Sequence, residues 1–215
     1  MRLKKQIAIL ALGAGFAACT PQPATNLIED NMEFAQQQLR FAFDEIDYAI
    51  VNESPESRAK REKNGWGELT NPRNSEPDGT LNLVPSKDWT SGFFPGELWF
   101  LYEYTQNNFW KKKAQQHTDI LEKEKMNGST HDMGFKVYCS FGNGYRLTQD
   151  EHYKEVLLQS ARTLATRFKP AAGIIRSWDH STAKWVCPVI IDNMMNLELL
   201  FWATKESKDS TFYRI

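Results

Sequence analysis

Three short stretches of this chain repeat one another, and that recurrence restricts the available folds more than any other feature. Tyr104-Thr105-Gln106-Asn107-Asn108-Phe109-Trp110-Lys111 returns as Leu147-Thr148-Gln149-Asp150-Glu151-His152-Tyr153-Lys154. It returns again as Ala203-Thr204-Lys205 and, after a short insertion, Phe212-Tyr213-Arg214. Each time an apolar helix ends, a polar turn follows, and an aromatic–basic pair opens the next helix. The interval, roughly 40 to 60 residues, is that of a helical hairpin, and hairpins repeated in this way build solenoids or closed toroids. The segments before the turns (96–104, 134–147, 194–203) are apolar nearly all round, whereas those after them (108–125, 151–168) are amphipathic. That alternation predicts an inner and an outer ring of helices. The connections into the inner helices would then surround a central cavity, so residues just before them are the site candidates.

The remaining chain is organised around this repeat. Residues 1–18 read as a signal peptide, with Arg2, Lys4 and Lys5 ahead of an apolar run (7–18) too short to span a bilayer. The run ends in Phe16-Ala17-Ala18-Cys19, which resembles a lipoprotein cleavage box with Phe16 in the place of the usual Leu. Cys19 is therefore the expected lipidation site, and residues 19–25, with Pro21 and Pro23, a tether. The expected location is outside the cytoplasm of a Gram-negative bacterium, periplasmic or membrane-anchored, touching the membrane only through Cys19. Residues 26–215 form the expected domain. Asn26, with Glu29 in the capping-box position, should open a helix that runs to Val51. The charged stretch 52–79, broken by Asn71-Pro72 and Pro77-Asp78-Gly79, reads as a long functional loop.

Composition removes several classes of function. A net charge of -1 offers no basic face for a nucleic acid. Neither zinc-ligand spacing of Cys and His nor a glycine-rich phosphate loop occurs. Cys139 and Cys187 sit in apolar stretches, as buried free thiols do. The seven Trp, seven Tyr and thirteen Phe belong mostly to the core, but Trp in loops also suits stacking on sugars.

Four segments precede inner helices. Asp88-Trp89-Thr90-Ser91-Gly92-Phe93-Phe94-Pro95-Gly96 is a stiff aromatic loop whose Trp89 and Phe93 can face the cavity or pack on the next helix. In Thr130-His131-Asp132-Met133-Gly134-Phe135, Asp132 stands at a helix start, where capping alone would explain a carboxylate; His131 can likewise be structural. In Ile190-Ile191-Asp192-Asn193-Met194-Met195-Asn196, Asp192 follows an apolar run and opens an apolar helix, so burial is expected. Arg176-Ser177-Trp178-Asp179-His180, with Trp185, reads as a short hairpin whose Trp178 can close over the cavity or cover the core. Asp132 and Asp192 occupy equivalent points of two hairpins, which would bring two carboxylates to one end of the barrel. Two carboxylates in different surroundings are the minimum equipment for acid–base work on a sugar.

Together, Trp89-Thr90-Ser91-Gly92-Phe93, His131-Asp132-Met133-Gly134-Phe135, Trp178 and Ile191-Asp192-Asn193-Met194-Met195-Asn196 resemble glycoside hydrolase family 88, the unsaturated glucuronyl hydrolases. The resemblance implies an all-α (α/α)6 barrel, here about half of one, as a fragment or a truncated chain. It implies removal of a terminal 4,5-unsaturated glucuronate from lyase-generated oligosaccharides by hydration of the C4=C5 bond. Asp192 would be the general acid/base and Asp132 the second essential carboxylate. Trp89, Phe93, His131 and Trp178 would line the substrate, with no metal or organic cofactor. Groups that hold the uronate carboxylate and any sulfate would come from the other half. An unsaturated rhamnogalacturonyl hydrolase, or an inactive glycan-binding lipoprotein, are the competing readings.

Overall fold

The structure, a computed structural model, describes residues 24–181 and 183–215. The signal peptide, Cys19 and nearly all of the tether lie outside the described residues. The chain is built from helical hairpins, as the repeat predicts: α1 (Ala24–Val51), α2 (Pro55–Lys63), strands β1 (Leu69–Ser75) and β2 (Leu81–Pro85), α3 (Phe93–Thr105) and α4 (Asn108–Asp119). After a 3₁₀ turn (Glu122–Met126), a π-helical run (Gly134–Gly142) continues into α5 (Asn143–Thr148). Then come α6 (Glu151–Ala165), β3 (Phe168–Lys169), β4 (Ile174–Ile175) and α7 (Asn193–Ser207). The inner helices α3, the π-run with α5, and α7 lie side by side, and α4 and α6 pack outside them. This is the hairpin order of an (α/α)6 toroid.

Periodicity explains the outer layer. α6 buries Tyr153, Val156, Leu157, Ser160, Ala161 and Leu164, one stripe at three- and four-residue intervals. α4 buries Trp110, Ala114, His117 and Thr118 in the same way. Each fully buried Leu or Phe in this layer contributes about 1.5–3 kcal/mol. α3 and α7 have little amphipathic contrast because they carry apolar side chains on exposed faces as well as buried ones: α3 buries Phe94, Leu98, Trp99 and Leu101 but leaves Phe100 exposed, and α7 leaves Phe201 exposed.

The repeated turn has a clear physical basis. Gln106 and Gln149 take left-handed backbone at φ 54° and 55°, ending α3 and α5. Asn107 and Asp150 then accept the amides of Phe109 and His152, both at 2.9 Å, and start the outer helices. The third copy is displaced from the sequence reading. α7 continues past Thr204, and the left-handed residue is Lys208. Ser207-Lys208-Asp209 is thus the structural counterpart of Thr105-Gln106-Asn107, with Asp209 accepting Thr211 N at 2.9 Å.

Other expectations need correction. α1 begins at Ala24, two residues ahead of Asn26, which lies inside it. The stretch 52–79 is not one loop. Ser54 caps α2 by accepting Ser57 N, and β1 pairs antiparallel with β2 around the Pro77-Asp78-Gly79 turn. Pro72 and bulges on both sides of the Asn71/Pro72 pair hid that strand, because they break the alternation that marks one. The hairpin assigned around Trp178 lies earlier, in β3–β4, and residues 176–181 and 183–192 form neither helix nor strand. Cys139 and Cys187 are free but half-buried rather than buried.

Close backbone contacts hold the inner helices together. A Cβ on Gly92 would sit 2.2 Å from Phe135 O and 2.3 Å from Lys136 O. On Gly134 it would sit 2.7 Å from Asn196 Cα. Only glycine allows these approaches, so the Trp89, Asp132 and Asp192 segments are drawn against one another.

Candidate active site

The π-run starts at Gly134, two residues after Asp132, yet the Asp132 side chain does not cap it. Its first free amides, Gly134 N and Phe135 N, donate to Asn196 Oδ1 of α7, at 2.8 and 3.2 Å. The Asp132 carboxylate instead receives the Thr130 hydroxyl on Oδ2 at 2.5 Å, while His131 Nε2 lies 3.2 Å from Oδ1. Asp192 occupies the N-cap position of α7 but makes no side-chain capping bond. Helix capping therefore accounts for neither carboxylate.

His131 joins them. Its ring is buried, with Nε2 3.2 Å from Asp132 and 3.9 Å from Asp192 Oδ1. Its Nδ1 lies 3.3 Å from Asn193 Oδ1. The Asn193 amide has one orientation here, because its Nδ2 donates to Ile175 O at 2.9 Å. Both ring nitrogens thus face oxygen acceptors, and two N–H donors, an imidazolium, satisfy them best. Burial works against that charge. The Asp132 hydrogen bond and charge, the Asn193 carbonyl and the Asp192 charge outweigh it, and the His131 pKa is raised. For Asp132, burial raises the pKa, but the bonds from His131 and Thr130 and the charges of His131 and Lys136 prevail, so it is lowered. Asp132 is the carboxylate that stays ionised.

Asp192 departs from expectation. Its side chain is 40% exposed, not buried, although Oδ1 is turned inward and has no hydrogen-bond partner among the described residues. His131, Asp132 and Asp192 bring three donor atoms within 4.8 Å of one another, close enough to hold a cation. Asn193 fixes a proton on Nδ1, and it is the two carboxylates beside Nε2 that favour a second proton there, the state that suits an acid–base role.

Trp89 and Phe93 meet a third ring that the sequence reading did not single out. Phe135 lies 5.7 Å from Trp89 and 5.6 Å from Phe93, edge to face, and the Trp89–Phe93 distance is 5.8 Å. This triangle fixes Trp89 while leaving it 43% exposed, and Trp89 and Asp132 border the same cavity. The loop beneath is tied down by Asp88, which accepts Thr90 N and Oγ1, and by Ser91 Oγ bonded to Ser86 O. Trp178 is half-buried, stacked on His180 at 5.5 Å and edge-on to Trp185. Its Nε1 is buried without a partner among the described residues, so Trp178 is less open than Trp89.

Supporting residues were also missed. Arg167 donates to Gly128 O, Arg176 O and both Asp179 oxygens, clamping the loops that carry His131 and Trp178 to each other. Under the π-run, fully buried Lys136 donates to Glu124 Oε2 at 2.9 Å. Glu124 also accepts Ser86 Oγ and Asn127 Nδ2. No local pattern announces these long-range partners.

Comparison with known proteins agrees with this fold. No family model matches the chain. An unsaturated glucuronyl hydrolase from Formosa agariphila is 56% identical over 136 residues, 63% of this chain and 34% of its own length. The chain is homologous to unsaturated glucuronyl hydrolases. An unsaturated chondroitin disaccharide hydrolase from Streptococcus pneumoniae is 32% identical, over 64% of this chain and 36% of its own. The crystal structure of an unsaturated glucuronyl hydrolase specific for heparin superposes with a TM-score of 0.66 at 38% identity, covering 84% of this chain and 45% of that one. The Bacillus sp. GL1 enzyme, described as responsible for degrading glycosaminoglycan, gives 0.63 at 29% identity, covering 72% and 42%. The chain thus spans between a third and a half of the length of these relatives.

Proposed function

We propose that this chain carries the acid–base carboxylates of a hydrolase that removes 4,5-unsaturated glucuronate from the non-reducing end of glycosaminoglycan-type oligosaccharides. The observation that carries the reading is the pair of non-capping carboxylates, from successive hairpins, joined by one buried imidazole at 3.2 and 3.9 Å. The names of the relatives favour the glucuronyl over the rhamnogalacturonyl reading.

In this reading the half-exposed Asp192 donates a proton to C4 of the enol ether. Positive charge develops at C5 and the ring oxygen, and water adds at C5 while its proton returns to Asp192. The hemiketal opens, and the glycosidic bond breaks as the sugar rearranges. Asp132, held ionised by His131 and Thr130, orients the sugar and stabilises the developing positive charge. Trp89 offers its exposed face to a sugar ring, with Phe93 beneath it and Trp178 on the far loop. The protein is exported and anchored through Cys19.

The test is Asp192→Asn in the full-length enzyme, followed as loss of the ultraviolet absorbance of the conjugated double bond. The fold and substrate binding should persist while kcat falls by at least ~100-fold, the low end for a lost general acid. Near wild-type turnover would remove the assignment and the reading built on it.

A further inference from the structure

The cavity bordered by Asp132 and Trp89 does not end at the carboxylates. It encloses about 610 Å³ and reaches α2 and the β1–β2 hairpin, where Lys60, Trp66, Arg73 and Lys87 line it. Four of its lining residues are cationic and two, Asp88 and Asp132, are anionic. Two of the cations are already matched. Arg61 makes a bidentate pair with Glu53 at 2.9 and 2.8 Å, and Arg73 lies 3.1 Å from Asp88. Among the described residues, Lys60 and Lys87 have no carboxylate at salt-bridge distance. Lys87 Nζ donates to Gly65 O at 3.0 Å, which leaves two N–H groups for something else.

Both ammonium groups lie 5.9 Å from the centre of the Trp66 ring, which is 40% exposed. Two like charges beside one indole repel each other, and the single hydrogen bond from Lys87 and the weak attraction of the ring leave most of that charge unanswered. A part-exposed indole with two ammonium groups 5.9 Å from its centre, neither paired with a carboxylate, is the chemistry that recognises a sugar bearing an anionic group: the exposed part of the ring meets C–H groups and the ammonium groups meet the anion.

The geometry points to a subsite in which Trp66 carries a sugar of the leaving-group side while Lys60 and Lys87 hold an anionic substituent on it, a sulfate ester or a uronate carboxylate. The placement on the leaving-group side rests on the hydrolase reading; recognition of an anionic sugar does not. The subsite is built from α2, the connection that follows it and the residues just after β2.

Calorimetric titration of the full-length enzyme, its Asp192→Asn form preserving the ligands, tests this with three probes. They are the unsulfated unsaturated chondroitin disaccharide, its 6-sulfated counterpart, and the unsulfated tetrasaccharide, which adds a carboxylate on a further sugar. At least one anionic probe should bind roughly tenfold more tightly than the unsulfated disaccharide. A gain for the sulfated disaccharide identifies a sulfate subsite, and a gain for the tetrasaccharide a carboxylate subsite. Adding Lys60→Gln and Lys87→Gln should abolish the preference, and Lys60→Arg with Lys87→Arg should keep it. No preference in the starting protein, or a preference that survives the glutamine changes, overturns the inference. The ultraviolet assay on the enzyme with Asp192 intact reads the hydrolase proposal separately. Lysine-dependent preference without turnover removes that proposal alone, and turnover without preference removes this subsite alone.

Discussion

Lys136 is fully buried on the π-run that carries the site, and its replacement by methionine tests how that run is held. The wild-type ammonium lies 2.9 Å from Glu124 Oε2. Lys136→Met keeps much of the side-chain volume and leaves the Glu124 carboxylate buried without its counter-charge. Breaking a buried pair from one side costs about 3–5 kcal/mol. Glu124 keeps its bonds from Ser86 Oγ at 2.7 Å and Asn127 Nδ2 at 2.8 Å, which favours the lower end, about 3 kcal/mol. At 2–4 °C per kcal/mol for a chain of this size, Tm should fall by about 6–12 °C. Urea unfolding should show the same loss.

The pH dependence gives a second, sharper reading. For Glu124, burial raises the pKa, but the Lys136 charge and the bonds from Asn127, Ser86 and Lys136 outweigh it, so the pKa is lowered from 4.5. A depressed carboxylate contributes stability above its unfolded pKa and loses it as pH falls through the folded value. Without Lys136 the burial effect is unopposed by that charge and Glu124 takes up a proton more readily. The deficit of Lys136→Met should therefore be largest near neutrality and shrink toward pH 4.5. Adding Glu124→Gln should recover at least half of it at pH 7, because the stranded charge is gone. A loss below about 1 kcal/mol, or a double variant no more stable than Lys136→Met, would refute the view that the stranded carboxylate is what costs stability.

Two further outcomes are expected. In an NMR titration His131 should titrate above 6.5 and His117 at about 4, the latter because burial and the Lys113 charge disfavour its cation; stability should then decline as pH rises through the His131 value, and also as it falls from 6.5 toward 4. Palmitate labelling in a bacterial host should depend on Cys19 and vanish in Cys19→Ser, and label retained in that variant would remove the anchor.

What was legible in the sequence is what depends on near neighbours. The outer helices show their buried stripes because Tyr153, Val156, Leu157 and Leu164 face one partner layer. The turn at Thr105-Gln106-Asn107 is readable because each residue acts within two or four positions: Thr105 Oγ1 on Leu101 O, Asn107 on Phe109 N. The third copy drifted because α7 is apolar nearly all round, and Thr204, bonded to Leu200 O, imitates the terminal Ser207. The β1 strand was illegible because Asn71 has its side chain buried for tertiary reasons. It donates to Ser91 O and receives His117 at 2.8 Å, so a polar residue stands where a strand would show an apolar one. The gathering of Lys60, Trp66 and Lys87 was out of reach for the same reason, since it exists only once Lys87, after β2, has reached back to Gly65 in the connection that follows α2.

The spacing within Asp192-Asn193-Met194-Met195-Asn196 has a structural cause that no single residue reveals. Positions three apart share a helix face, so Asn193 and Asn196 both point at the preceding hairpin, while Met194 and Met195 stay exposed. Asn196 takes the amides that open the π-run, which deprives Asp132 of the partners a carboxylate normally finds at a helix start. Asn193, fixed by Ile175 O, presents its carbonyl to His131 Nδ1 and so holds a proton on that nitrogen. That ring then turns its Nε2 to Asp132, with Asp192 on the same side. The two asparagines thus convert what would be two independent helix caps into one His131–Asp132–Asp192 triad. A substitution at Asn196 would return the amides to Asp132, drawing its carboxylate away from His131, so Asn196 shapes the site without touching the sugar.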